Sequence, residues 1–107
     1  MEQSLTPAFL LSTWDVAQPL STFLEDLLAT PIPPNPTGMD PFIAINQQRV
    51  KRIRKTVQLT DATRIAVGAM PGGLKWLVIN EHWCGDGAQI LPVVEAVQQA
   101  AGGKVEV

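Results

Sequence analysis

The chain holds one cysteine, one histidine and no tyrosine in 107 residues. A lone cysteine excludes an intramolecular disulfide framework. With only one histidine beside it, no second soft ligand exists to complete a zinc-type site. Charge is also scarce, at 17% of residues with a formal net charge of -2. That balance is too mild to argue for nucleic acid or an acidic surface as a partner. No apolar run approaches the roughly 20 residues of a membrane span, so no membrane partner is expected. Met1-Glu2-Gln3 carries no basic region, and Ala8-Phe9-Leu10-Leu11 is too short for a signal-peptide core. No internal repeat is present. These absences leave the expectation of a cytoplasmic protein in a reducing compartment, without cofactor or metal.

What remains is a chain that can fold. Hydrophobic residues make up 46% of it, which argues against disorder by composition. Its length suits one domain, burying roughly two thirds of the unfolded surface. Ser4 to Trp14 give a short apolar patch after Pro7. Asp15 to Leu28 read as a helix, with Val16, Leu20, Phe23, Leu24, Leu27 and Leu28 on one face. Pro19 is tolerated near its start, and Ser21 is a candidate cap for a later start. The proline-rich residues 30–41 then read as a stiff connector or as a ligand for a proline-binding partner.

Phe42 to Val57 read as a second helix, with Phe42, Ile45, Val50, Ile53 and Val57 as its apolar stripe. Arg49, Lys51, Arg52, Arg54 and Lys55 put five of the eight basic residues within seven positions. Three readings stay open: a solvated face with acidic partners elsewhere, a phosphate or nucleic-acid contact, or ion pairing across a subunit contact. No aromatic interleaving supports the second. Thr60-Asp61 caps a third helix reaching about Met70, with Ile65, Ala66 and Ala69 inward. Pro71-Gly72-Gly73 ends it.

The chemistry concentrates in the last third. Leu74 to Ile79, broken only by Lys75, reads as a buried strand. It leads to Glu81-His82-Trp83-Cys84-Gly85-Asp86-Gly87. Ala88 to Ala101 reads as a helix stopped by Gly102-Gly103, and Lys104 to Val107 as the start of another strand. This is a βαβ unit. Cys84 sits where a strand gives way to a helix, and the peptide N–H groups there favour thiolate over thiol. A buried, inert cysteine is the competing reading. Asp86 either opposes the thiolate by its charge or caps the helix. His82 reads as a general base for Cys84 or as a strand-end surface residue. Glu81, His82, Cys84 and Asp86 crowd one corner, but adjacent strand residues point oppositely, which argues against a metal.

Trp83-Cys84-Gly85-Asp86-Gly87 resembles the thioredoxin active-site segment Trp-Cys-Gly-Pro-Cys. Pro92 falls five residues after Gly87, as the helix proline of thioredoxins follows their second cysteine. Asn46 to Thr56 is similar to a helical extension found in bacterial thioredoxin-like proteins with a Trp-Cys-Gly-Asp site. The resemblance implies an α/β protein: residues 1–73 a helical amino-terminal half, residues 74–107 an incomplete thioredoxin-like βαβ unit. The remaining strands are either absent because the chain is a fragment or supplied by another chain. Exposed sheet edges invite pairing, which makes a homo-oligomer a candidate. The implied site is Cys84 with Asp86 and Trp83. Gly87 stands where a resolving thiol would be, so redox chemistry here is monothiol. Its partners would be protein thiols or disulfides, with glutathione as an external thiol. The alternative is a non-catalytic interaction module. On this alignment, a cysteine placed at 87 should face Cys84 and close a disulfide.

Overall fold

The computed structural model describes residues 5–107. Met1 to Ser4, on which part of the amino-terminal reading rests, lie outside them. In chain order come α1 (Pro7–Val16), α2 (Leu20–Ala29), α3 (Asp40–Thr56), α4 (Asp61–Gly68), β1 (Leu74–Lys75), α5 (Gly85–Ala100) and β2 (Val105–Glu106). The chain is mostly helical, with two short parallel strands. They pair in register Leu74 with Val105 and Lys75 with Glu106, joined by α5 as the crossover. This bears out the helical amino-terminal half and the βαβ unit.

Local chemistry sets most helix boundaries. The Thr6 hydroxyl accepts from the Phe9 N–H at 3.1 Å, and Pro7 follows in the first turn. Thr60 does the same for α4, accepting from the Thr63 N–H at 3.1 Å. The helix expected over 15–28 is instead two helices, parted at Ala17–Pro19. Proline lacks an N–H and pushes the preceding residue out of the helical region, so Pro19 serves as the N-cap of α2. The first amide of α2, that of Leu20, donates to the Val107 carbonyl at 3.0 Å. Val16 belongs to α1 and is exposed, not part of the α2 face.

Two apolar clusters meet at Val107. One joins Leu20, Leu24 and Leu27 of α2 to Val50 of α3 and to Ala88 and Leu91 of α5. The other joins Val67 of α4 to Ala101 and Val105. The packed face of α3 differs from the expected stripe. Phe42 and Ile45 are about half exposed, while Asn46 and Val50 are fully buried. The reason is hydrogen bonding. Gln47 donates to the Leu27 and Thr30 carbonyls at 3.0 and 2.7 Å, serving the end of α2. Arg54 forks onto Glu95 of α5 at 3.0 and 2.9 Å and also reaches Glu25 of α2. In α4, Val67 turns inward while Ile65, Ala66 and Ala69 are exposed, which reverses the expected face.

The strand expected over 74–79 is paired at only two residues. The Leu74 amide donates to Lys104 O at 3.0 Å and the Trp76 amide to Glu106 O at 2.8 Å. From Leu77 onward the segment has no regular structure, and Ile79 is 83% exposed. Lys75 extends over the Trp14 ring, 5.3 Å from its centroid, which ties α1 to β1. Among the described residues, no helix is long and apolar enough to cross a membrane.

Candidate functional site

Cys84 is the N-cap of α5, with φ -75° and ψ 114°. Its N–H donates to Glu81 O at 3.0 Å, closing the turn at His82-Trp83. Its carbonyl accepts from the Ala88 N–H at 3.1 Å, the first bond of the helix. The thiol is free and half-buried, at the end of the helix that carries unpaired N–H groups. Pro92, fully buried inside α5, lacks the amide that would bond to the Ala88 carbonyl.

The loop is held from α3. The buried Asn46 amide donates to the His82 carbonyl at 2.9 Å. Arg49 donates to the Asn46 side-chain oxygen at 3.0 Å. Its guanidinium lies against Gly85, where an added Cβ would stand 2.8 Å from Nη1. Asn46 therefore anchors the peptide that enters the turn, and Arg49, one turn on along α3, braces Asn46 and lies against Gly85 on the far side of Cys84. Reading the sequence missed both. The available signal was an amide-bearing residue at a core-facing helical phase, which must find a hydrogen-bond partner when buried.

Of the expected site residues, Trp83 lies beside Cys84 in the turn and is 47% exposed. Asp86 is exposed in the first turn of α5, and Cys84, not Asp86, takes the cap position. The His82 ring points to α2: it meets the Phe23 ring edge-on at 4.9 Å, and its Nδ1 lies 3.5 Å from the Thr30 hydroxyl. This corrects the general-base reading, because the imidazole packs as part of the α2 contact. Among the described residues, no group of three or more His, Cys, Asp or Glu converges as a metal site.

Gly87 is buried against a different neighbour. A Cβ built there would stand 2.3 Å from both polar atoms of the Asn80 carboxamide. The approach expected of a cysteine at 87 to Cys84 would therefore need the Asn80 side chain to move aside. A separate cleft of about 710 Å³ opens between α1, α2 and the unpaired stretch after β1, past Trp14, Trp76 and Ile79. Cys84 does not line it.

The basic run of α3 is divided. Arg54 is engaged by acidic partners of the same chain; the Glu95 hydrogen bond chiefly raises its pKa above the ordinary arginine value, with burial opposing and Glu25 assisting. Arg49 is turned onto the Cys84 loop. Lys51, Arg52 and Lys55 are exposed.

A family model described as thioredoxin matches residues 39–107, well over half of the chain. The chain belongs to the thioredoxin family. The match begins at Met39, so it takes in α3 and its two loop-holding residues as well as the βαβ unit. No curated protein and no solved structure matches. Within this thioredoxin-family chain the half-buried thiol at the α5 N-terminus is the one thiol, since the sequence holds a single cysteine.

Proposed function

We propose that this thioredoxin-family protein works as a monothiol, exchanging disulfides through Cys84. The observation that carries the reading is the placement of the only cysteine as the N-cap of α5, with a bare, buried glycine at position 87. Such exchange runs through a thiolate, and Cys84 stands at the end of α5 where the helix leaves its first N–H groups unpaired. In the first step the Cys84 thiolate attacks a disulfide R–S–S–R. One S–S bond breaks, a Cys84–S–S–R bond forms and R–S⁻ leaves. In the second step an external thiolate, glutathione for example, attacks the R sulfur and Cys84 leaves as thiolate. Each step exchanges one sulfur–sulfur bond for another, so electrons balance. Trp83, exposed beside the thiol, offers apolar surface to the incoming partner.

The test is incubation of the native protein with glutathione disulfide, followed by intact mass and then by addition of reduced glutathione. One glutathionyl adduct, lost on adding the thiol and absent in Cys84→Ser, is the expected result. A folded protein that forms no adduct would leave the other reading, a thioredoxin-family module that binds partners without sulfur chemistry.

A further inference from the structure

Arg49 and Arg54 lie on the same helix and are used differently. The Arg54 guanidinium donates to the carboxylates of Glu95 and Glu25. Arg49 gives one donor, Nη1, to the Asn46 side-chain oxygen at 3.0 Å. Among the described residues it makes no other hydrogen bond and no ion pair, both ion pairs being those of Arg54. A guanidinium carries five N–H donors in a planar fork that matches a carboxylate. Being half-buried, Arg49 has less water to satisfy the others.

This guanidinium is placed beside the nucleophile. Gly85 has no side chain, and Nη1 comes to 2.8 Å from where its Cβ would stand. Neighbouring α-carbons are about 3.8 Å apart, so Nη1 lies within about 8 Å of the Cys84 α-carbon. A residue of extended chain spans about 3.5 Å. A carboxylate one or two residues from the attacked sulfur therefore reaches the fork while that sulfur meets Cys84. The overall charge of the loop does not favour anions, because Glu81 and Asp86 are exposed on it. Selection for a carboxylate needs a directed group, and the Arg49 fork supplies one.

We infer that Arg49 is a specificity-determining residue of this site: its guanidinium binds a carboxylate of the incoming disulfide, so that carboxylate-bearing disulfides such as glutathione disulfide are the preferred partners. The inference rests on the monothiol reading. Arg49 takes no part in the bond changes, which are those of the exchange already written. Its charge also bears on the Cys84 thiolate, but that effect is common to every disulfide and cancels in a ratio of rates.

The experiment measures the rate of Cys84 adduct formation with glutathione disulfide and with uncharged hydroxyethyl disulfide. R49Q removes the charge and keeps a hydrogen-bond donor. The glutathione-to-hydroxyethyl rate ratio should fall about tenfold from parent to R49Q, the size of one charge-assisted hydrogen bond. R52Q removes the same charge from an exposed position of α3, and there the ratio should change less than about twofold. An unchanged ratio in R49Q, or an equal fall in R52Q, would overturn the inference. Should R49Q fail to fold, the parent decides. Glutathione disulfide esterified at its carboxylates should then react about tenfold more slowly than the free acid, and equal rates would count against carboxylate binding. A parent that forms no adduct with any of these disulfides loses the monothiol reading. S-Methylglutathione, which keeps the carboxylates but has no exchangeable sulfur, then tests Arg49 separately. It should shift the Gly85 amide resonance in the parent and not in R49Q. No shift in the parent would remove the carboxylate site as well.

Discussion

The helical layer of α2, α3 and α5 and the strand pair with its extension are built by opposite means. In the first, Leu24, Leu27 and Val50 are essentially without exposed surface, and a forked ion pair ties the three helices together. In the second, two residues per strand are paired and the apolar run past Trp76 is largely open, with Val78 43% and Ile79 83% exposed. The βαβ unit carries the thiol, yet the hold on the thiol loop comes from the helical layer, through Asn46 and Arg49. Cys84 is therefore positioned by α3 and by the first turn of its own helix more than by the sheet. Damage should divide the same way.

The largest effect should come from the core. Leu24→Ala is expected to cost about 2–5 kcal/mol, through lost transfer energy and the cavity left behind. Ile79→Ala, in the exposed extension, should stay within about 0.5 kcal/mol. Urea unfolding of both variants checks the contrast. Equal losses would mean that the stretch after β1 is packed as tightly as α2.

Next comes the ion network. Glu95→Gln breaks a bidentate fork in which the arginine and carboxylate are mostly shielded from water, and about 1–3 kcal/mol should be lost. Glu25→Gln touches the same guanidinium from a side chain two-thirds exposed, and about 0–1 kcal/mol is expected. Thermal melts at low and high salt separate the two, since only the exposed pair should weaken with salt. A Glu25 effect as large as that of Glu95 would show that burial does not decide the ranking.

Asn46→Ala tests the hold on the loop directly. It leaves the His82 carbonyl without its donor, which costs about 1–3 kcal/mol if that carbonyl stays buried. It also frees Arg49. Alkylation of Cys84 in the native state should change in rate while labelling in denaturant does not. A variant that loses stability but keeps the parent labelling rate would reduce Asn46 to a packing role.

How much of this was readable from the residues varies with the kind of signal. The Trp83-Cys84-Gly85 turn, the helix behind it and Pro92 were legible, because each is a local feature with a local cause. So was the Thr60 cap. The face of α3 was not. Hydropathy assigns Phe42 and Ile45 to the inside, whereas Asn46, Gln47 and Arg54 face their neighbours because each satisfies a specific carbonyl or carboxylate. A pattern scale scores such residues as polar and cannot know that partners await them. The strand past Trp76 failed for a related reason: a short apolar run reports the side chains' preference for burial, and a ladder also needs a partner backbone opposite. Asn80 was invisible for a third reason. Its side chain meets Gly87, seven positions away, in a close approach that no local pattern encodes.

The smallest effect separates the two glycines of the site. Replacing a helical glycine by alanine ordinarily stabilises by about 0.5–1 kcal/mol, since glycine loses more backbone entropy on folding. At position 85 the new methyl would meet the tip of Arg49 at 2.8 Å. That guanidinium ends a long side chain and can swing outward at the cost of its bond to Asn46. Gain and loss are then of similar size, and Gly85→Ala should shift stability by no more than about 0.5 kcal/mol. Its mark should instead be on the thiol, because Arg49 leaves the loop. Cys84 alkylation in Gly85→Ala should match that in Arg49→Ala, and adding Gly85→Ala to Arg49→Ala should change the rate no further. If Gly85→Ala labels like the parent, the guanidinium does not act on the Cys84 loop, and the helical layer holds the site through Asn46 alone.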